Sequence, residues 1–550
     1  MKNGLILLGV LLWAGLASAG GFDPGLAVRL SGLGPNEELS VLVHLKAQAD
    51  LALFHPDNKA GMVAELHRVA EATQPALLAR YAGRIRDVGR FWIYNGFVGT
   101  ARKDVILELA NDPEVDFVEE NGTVRLGDYE KAPGINTIEW NLRKVKADSV
   151  WLARGYTGQG VVIGSIDTGV DGTHPALQSR WRSQDGWYDP VSHTPAPHDS
   201  NGHGTLGMGI AVGSSGVDTV GVAIGASWIA AKGFSEGGSS QIAWLDSCLQ
   251  WYAHLDSIGR GAVVVTNGWG LSSRTDTHFW QASRNLQLLG TTVAFGVGGL
   301  GPGSGTVPAP SNYPCLFGLG VTDASDNIAS FSSRGSAPTG YPWDSSAAWL
   351  DPLWGTRTPT NHIKPDLVAP GVNVRSSYIN HGYTTISGST CGPAHLAGAI
   401  ALIKQKNPNL TPAQLWQIIT STCDTPAIGS PYPNQNYGWG RLNCLRAVDA
   451  TPSGVEAEQT PGSVTRGRRI SIVPNPMREV CLISASWLAD EERWSIYDAT
   501  GRLVKTGTFD HGRAFWDGRD QSGRNLWNGV YFLRTRDRAG AETAKIVLLR

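Results

Sequence analysis

Three short segments of this 550-residue chain carry side chains that could act together on a carbonyl carbon. In the first, Ser165-Ile166-Asp167-Thr168-Gly169-Val170, a carboxylate follows the apolar run Val161 to Ile166. A carboxylate at the end of a buried strand can accept a proton bond from an imidazole and hold its tautomer. In the second, Asn201-Gly202-His203-Gly204-Thr205, glycines on both sides let backbone and ligand come close, and histidine suits general-base work near neutral pH. The third, Thr384 to Ala401 (TTISGSTCGPAHLAGAIA), opens with small hydroxyl residues and ends as an apolar helix. A hydroxyl at such a first turn sits among unpaired backbone N–H groups at the positive end of the dipole, where developing negative charge is favoured. Taken singly, each has a plainer use: Asp-Thr-Gly fits a strand-end turn, and a lone histidine is usually a packing or surface residue.

The elements that must position these residues are legible in the apolar pattern. Val161 to Ile166, Ser227 to Ala231, Ala262 to Val265, Thr291 to Phe295 and Leu316 to Val321 are continuous apolar runs, as expected of parallel strands buried on both faces. Helical stretches, Gln241 to Leu255 and Thr277 to Leu289, alternate with them. The alternation predicts an α/β fold with a doubly wound parallel sheet, with ligands beyond the carboxyl ends of the strands. Thr411-Pro412 opens a further helix with Thr at N-cap and Pro at N1. Pro338 to Pro359 reads as a surface insertion.

Residues 38–126 read as a separate α+β unit. Leu39, Val41, Val43 and Leu45 alternate as a strand, Met62, Leu66 and Val69 recur at helical spacing before Pro75, Phe91 to Val98 reads as a strand, Val105 to Ala110 as a short helix, and Val115 to Val118 as a last strand. The order fits a ferredoxin-like split βαβ. Residues 451–466, rich in Thr, Pro, Ser, Gly and Glu, read as a linker, and 467–550 as a β-sandwich tail.

The three segments, in the order Asp, His, hydroxyl, resemble those of subtilisin-family (subtilase) serine proteases, and most resemble bacillopeptidase-like members. Trp228 to Gly233, Ala329 to Gly335 (ASFSSRG), Lys364 to Ser376 (KPDLVAPGVNVRS) and Gly438 to Asn443 (GWGRLN) carry the resemblance across 140–450. It implies a subtilisin-like peptidase domain over 140–450, a peptide or protein substrate, and residues 38–126 as an inhibitory propeptide. It also implies that Asp167 orients His203, which activates the hydroxyl at 390. Structural calcium occurs in such proteins; no ligand set stands out here, and no cofactor is required for the reaction. The tail pieces Pro474 to Pro476, YDATGRLV from Tyr497, WDGRDQSGR from Trp516 and NGVYFLR from Asn528 resemble Ig-like C-terminal modules, including type IX secretion sorting domains. Such a module implies contact with secretion machinery or the cell surface.

Several positions depart from the resembled pattern. Aligned through Gly388, His395 and Gly398, the serine position holds Thr390, with Ser389 one place earlier as the alternative nucleophile. In Ala294 to Gly303 (AFGVGGLGPG), the oxyanion-hole Asn becomes Gly299. In the cleft stretch Gly268-Trp269-Gly270, Gly268 replaces a serine. These departures imply impaired or absent hydrolysis, with a pseudoprotease acting as a peptide-binding or cell-surface protein as the second class.

Lys plus Arg number 46 against 48 Asp plus Glu, a balance that argues against nucleic acid as a partner. Lys2, the apolar run Leu5 to Leu16 and Ala17-Ser18-Ala19 predict a signal peptide over 1–19, and hence a secreted or cell-surface protein. Export permits disulfides among the six cysteines; Cys423 and Cys444, flanking one loop, are the candidate pair.

Overall fold

The computed structural model describes residues 21–34, 36–54, 58–126, 130–132, 138–215, 218–314, 316–343, 363–453, 470–473, 477, 481–484, 493–498, 501–509, 513–537 and 540–548. The expected signal peptide, most of the linker, much of the insertion after Pro338, and Cys315 lie outside them. The chain divides into two compact units, Met1–Val455 and Glu456–Arg550.

The centre of the first unit is a seven-stranded sheet. Its order is Leu367–Pro370, Phe317–Thr322, Thr292–Gly296, Val264–Asn267, Val162–Asp167, Ser227–Lys232 and Trp187–Tyr188, and every neighbouring pair is parallel. The apolar runs form strands because both faces are covered: one packs against Ile242–Ser257 and Trp280–Leu288, the other against His203–Val212 and Cys391–Lys406. The expected α/β class, with a doubly wound parallel sheet, is the class observed.

The N-terminal part forms a five-stranded sheet in the order Gly21–Phe22, Val115–Glu120, Glu38–Leu45, Gly96–Arg102 and Ile85–Phe91. Its last four strands, with helices Lys59–Arg80 and Lys103–Ala110, have the split βαβ order. The sheet begins earlier than residue 38, because Gly21–Phe22 pairs parallel with Phe117 and Val118. The expected strand from Phe91 to Val98 is two strand ends around a turn, with Asn95 at φ 49°. The aromatic character of this tip serves docking instead: Trp92 N–H donates to Gln250 Oε1 at 2.8 Å, and Asn285 Nδ2 donates to the Ile93 carbonyl at 2.6 Å. Helix Lys59–Arg80 runs through Pro75, because packing continues beyond it: Gln74 and Leu77 are fully buried.

Two short pairings tie this N-terminal part to segments that follow strands of the large sheet and precede helix Cys391–Lys406. Thr123–Arg125 pairs antiparallel with Ser239–Gln241, and Leu126 bridges to Trp269. Glu130–Ala132 pairs antiparallel with Thr385–Ser387. Asn121 Oδ1 and the Gly122 carbonyl accept from Ala243 N–H and Ile242 N–H, two of the orphan donors that open helix Ile242–Ser257.

Cys423 and Cys444 are not bridged. Both are free thiols in the same apolar core. Cys423 Sγ donates to the Ile419 carbonyl at 3.3 Å, and Cys444 starts helix Cys444–Ala450 with its N–H on the Val145 carbonyl. Each is placed by its own helix rather than by the other.

The second unit has two antiparallel sheets, Ser471–Val473, Cys481–Ser484 and Arg513–Trp516, and Leu503–Thr508, Arg493–Asp498, Gly529–Asp537 and Gly540–Leu548. One core joins them, including Met477, Ile483, Trp494, Trp516, Leu533 and Ile546.

Candidate active site

Asp167 ends the strand Val162–Asp167 at the carboxyl edge of the large sheet. One of its oxygens, Oδ1, accepts from Thr168 N–H at 2.7 Å and from His203 Nδ1 at 2.7 Å. That second bond assigns the proton to Nδ1 and leaves Nε2 as the acceptor in the neutral ring. His203 opens helix His203–Val212, which is buried along its whole length. Glycine is required just before it: Gly202 has φ 97°, and a Cβ there would stand 2.2 Å from the Tyr378 ring. The turn into this helix is held by Asp199, which accepts from Gly202 N–H, Thr205 N–H and the Thr205 hydroxyl.

Thr390 is the N-cap of helix Cys391–Lys406, and its Oγ1 lies 3.0 Å from His203 Nε2. The same hydroxyl is 3.2 Å from the Gly268 carbonyl. Asp167, His203 and Thr390 thus form one hydrogen-bonded chain, with each member under a tenth exposed. Ser389 Oγ points elsewhere, lying 3.3 Å from where a Cβ on Gly296 would stand. Cys391 is fully buried, and burial pushes its thiol up to about 12, so it stays protonated at neutral pH. His395 belongs to the scaffold. Its Nδ1 donates to the Cys391 carbonyl at 2.7 Å and its Nε2 meets Asn141 Nδ2 at 2.9 Å, while burial lowers it to about 4.

Gly268 has a role that sequence reading missed. A Cβ on it would sit 2.0 Å from Thr390 Oγ1, 2.7 Å from His203 Cε1 and 3.2 Å from Asp167 Oδ2. The threonine hydroxyl therefore occupies space that any residue other than glycine at 268 would take. A signal existed, since both positions depart from the resembled pattern, but nothing in the sequence shows that they touch. Gly299 stands in the open: no atom would lie within 4 Å of an added Cβ, and it contributes no side-chain donor. Trp269 is buried, with its indole N–H on the Ile166 carbonyl at 3.1 Å, and its backbone faces Leu126.

A segment of the chain itself runs beside these residues, pairing with Ser239–Gln241 and bridging to Trp269. Val124 is buried and Leu126 half-buried, while Thr123 and Arg125 are exposed, the alternation of an extended peptide lying on a surface. The pairings stop at Leu126, which bridges to Trp269, and resume at Glu130, whose partner Ser387 stands three residues before Thr390.

Among the described residues, one group of three His, Cys, Asp or Glu side chains could hold a metal ion, His44, Glu119 and His278. No helix of the described residues is long and apolar enough to cross a membrane.

Comparison with known proteins matches the model of the subtilase family to residues 158–440, and that of a secretion system C-terminal sorting domain to residues 471–549. The chain is 30% identical over 445 residues to Bacillopeptidase F of Bacillus subtilis (strain 168), an alignment covering 72% of this chain and 29% of that protein. It is 30% identical over 343 residues to an alkaline protease of Alkalihalobacillus alcalophilus, covering 62% of this chain and 76% of that one. Over 313 residues it is 30% identical to Subtilisin Savinase of Lederbergia lenta, covering 57% and 99% respectively.

Proposed function

The chain belongs to the subtilase family of serine proteases and carries a secretion sorting tail, and from that premise we propose that it is an exported endopeptidase whose hydrolysis is impaired at its own nucleophile. The protein is secreted or held at the cell surface. The observation that carries the proposal is the 3.0 Å contact between Thr390 Oγ1 and His203 Nε2, backed by Asp167 at 2.7 Å, next to a residue 299 that offers no donor.

In this reading His203 takes the Thr390 proton as the oxygen attacks a peptide carbonyl, and Asp167 steadies the imidazolium that forms. His203 returns the proton to the leaving amine, and water then releases the acyl group from Thr390 by the reverse route. Two features slow the first step. A secondary hydroxyl with a branched Cβ has little χ1 freedom to follow the reacting carbon. The oxyanion lacks the side-chain donor that Gly299 replaces; removing one such donor costs roughly 10² to 10³ in kcat, a magnitude measured within this same family. The N-terminal unit is the first substrate. Its strand 123–126 approaches the site in extended form, so the bond to be cut lies between Leu126 and Glu130. Tethering supplies a high effective concentration, which lets a poor catalyst make one cut where it fails on free peptides.

A second reading, a pseudoprotease that binds peptides, draws on the same strand: pairing of 123–126 with Ser239–Gln241 requires no reacting hydroxyl. A fluorophosphonate probe separates the two. Labelling of the wild-type chain should be faint, lost in Thr390→Ala, and strong in Thr390→Ser. Equal, absent labelling in the wild type and Thr390→Ser, with peptide binding kept in both, favours the pseudoprotease.

A further inference from the structure

Among the described residues, a cluster of buried titratable side chains outside the Asp167–His203–Thr390 chain lies where the N-terminal unit meets the helices of the large sheet. His44 and Glu119 come from neighbouring strands of the N-terminal sheet, Glu38–Leu45 and Val115–Glu120. His278 comes from the turn that leads into helix Trp280–Leu288. One ligand atom from each lies within 4.8 Å of the others. His44 Nε2 is 2.7 Å from Glu119 Oε1, and His278 Nδ1 contacts the same oxygen. All three residues are under a tenth exposed.

The surroundings fix the rings as ligands are fixed. His278 turns its other nitrogen, Nε2, to Asp246, at 2.9 and 3.0 Å from the two carboxylate oxygens. Asp246 is fully buried and also accepts from the Tyr94 hydroxyl at 3.2 Å. A carboxylate on the far nitrogen of an imidazole is the usual outer support of a metal-bound histidine, since it sets the tautomer and raises basicity. His44 is clamped between aromatic rings, with centroid distances of 4.0 Å to Phe117 and 4.8 Å to Tyr94.

Charge and donor chemistry are compatible with an ion here. With both imidazoles neutral, the groups in hydrogen-bonding contact carry two negative charges, from Glu119 and Asp246, in a buried space. Uncompensated buried charge is costly. One proton on each imidazole cancels both charges, and one divalent cation does the same in place of those two protons. Two imidazole nitrogens and one carboxylate oxygen suit zinc or a similar d-block ion and disfavour calcium and magnesium, which take oxygen ligands. Bonds of about 2.0–2.2 Å set ligand atoms ~3.3–3.6 Å apart in a tetrahedron, wider than the 2.7 Å between His44 Nε2 and Glu119 Oε1, so an ion entering here parts the three side chains. The second Glu119 oxygen or a solvent molecule fills the fourth position.

We propose that His44, Glu119 and His278 bind zinc or a closely similar divalent cation, which staples the N-terminal unit to the peptidase domain. Two ligands belong to the N-terminal unit and one to the domain that it covers. After a cut between Leu126 and Glu130 the ion still holds the two pieces together, and removing it favours their separation.

The test uses the full chain carrying His203→Ala, which keeps it uncut. After dialysis against zinc chloride and then metal-free buffer, plasma mass spectrometry should find one zinc per chain, and cobalt(II) in its place should give tetrahedral absorption bands. His44→Ala and His278→Gln should remove that one equivalent, and Asp246→Asn should weaken it about 10–100-fold. A chain that takes up no zinc, or one that holds it equally well with His278→Gln, overturns the proposal and leaves His278 as an ion-paired imidazolium. If the variants do not fold, the melting temperature decides: added zinc, but not magnesium, should raise it in the His203→Ala chain, and a melting temperature indifferent to zinc overturns the proposal. None of these readouts depends on whether Thr390 reacts.

Discussion

Substituting Gly268 should displace the hydroxyl of residue 390, and harm the chain more when that residue is β-branched. In Gly268→Ser the new Cβ would stand 2.0 Å from Thr390 Oγ1 and 2.7 Å from His203 Cε1, both far inside contact distance. The hydroxyl must retreat by more than ~1 Å, and its χ1 alternatives are few because the side chain is β-branched. Overpacking of this kind costs about 1–3 kcal/mol of stability, and a displacement of ~1 Å at reacting atoms costs about 10²-fold in rate. A serine at 390 has no methyl to hold its χ1, so its hydroxyl can turn aside within the same rotamer well and stay in reach of His203 Nε2. The four proteins of the cycle, wild type, Gly268→Ser, Thr390→Ser and the double variant, should therefore show a coupling of at least about 1 kcal/mol. The assay is the first-order rate of the cut between Leu126 and Glu130, read by intact mass, with melting temperature as the control. Gly268→Ser should slow the threonine chain about 10²-fold and the serine chain much less. An equal factor in both backgrounds would refute the steric argument and make Gly268 incidental.

Three further outcomes follow from the geometry. Gly299→Asn enters open space, so it should leave the melting temperature unchanged and raise the rate of the cut, by up to roughly 10²-fold if its amide reaches the oxyanion; a marked loss of stability would show that the position is not open. Limited proteolysis should cut first within 451–466, near the division at Val455 and Glu456, and release the tail from a compact remainder; first cuts inside the large sheet would move that boundary. Burial raises the Asp256 carboxyl to about 6, above the ~3.9 of an unfolded aspartate. The folded chain therefore holds a proton that the unfolded chain has lost between those values, and stability falls as pH rises from about 4 to 6, by on the order of 3 kcal/mol. Asp256→Asn, which keeps a partner for the Thr291 hydroxyl, should flatten that slope in urea titrations; an unchanged slope would assign it elsewhere.

The large sheet was legible because its strands are buried on both faces. Val161 to Ile166 and Thr291 to Phe295 hold no charged residue and little polar surface to blur the run, and helices fall between them. The site was legible for a different reason. Asp167, His203 and Thr390 each sit in a short segment whose glycines and small residues serve close approach, and their chain order is informative. What the sequence hides is contact between distant parts. Gly268 reads as a lost serine until it is seen to hold room for Thr390. Phe91 to Val98 reads as a strand because aromatic residues that dock a hairpin tip look like residues that fill a sheet. Cys423 and Cys444 suggested a bond by proximity in sequence, yet two helix ends place them separately. His44, Glu119 and His278 have no local signature at all, since strand pairing and docking alone bring them together.

The central claim is that Thr390 and Gly299 limit an otherwise assembled site. Its most direct test follows the intact mass of the purified full chain with time, beside Thr390→Ser/Gly299→Asn and His203→Ala. The account predicts a wild-type chain that stays mostly uncut while the double variant is cut between Leu126 and Glu130, and a His203→Ala chain that is never cut. Rapid cutting of the wild-type chain that disappears in His203→Ala would contradict the claimed impairment, and a double variant that folds yet stays uncut would contradict the claim that these two residues cause it.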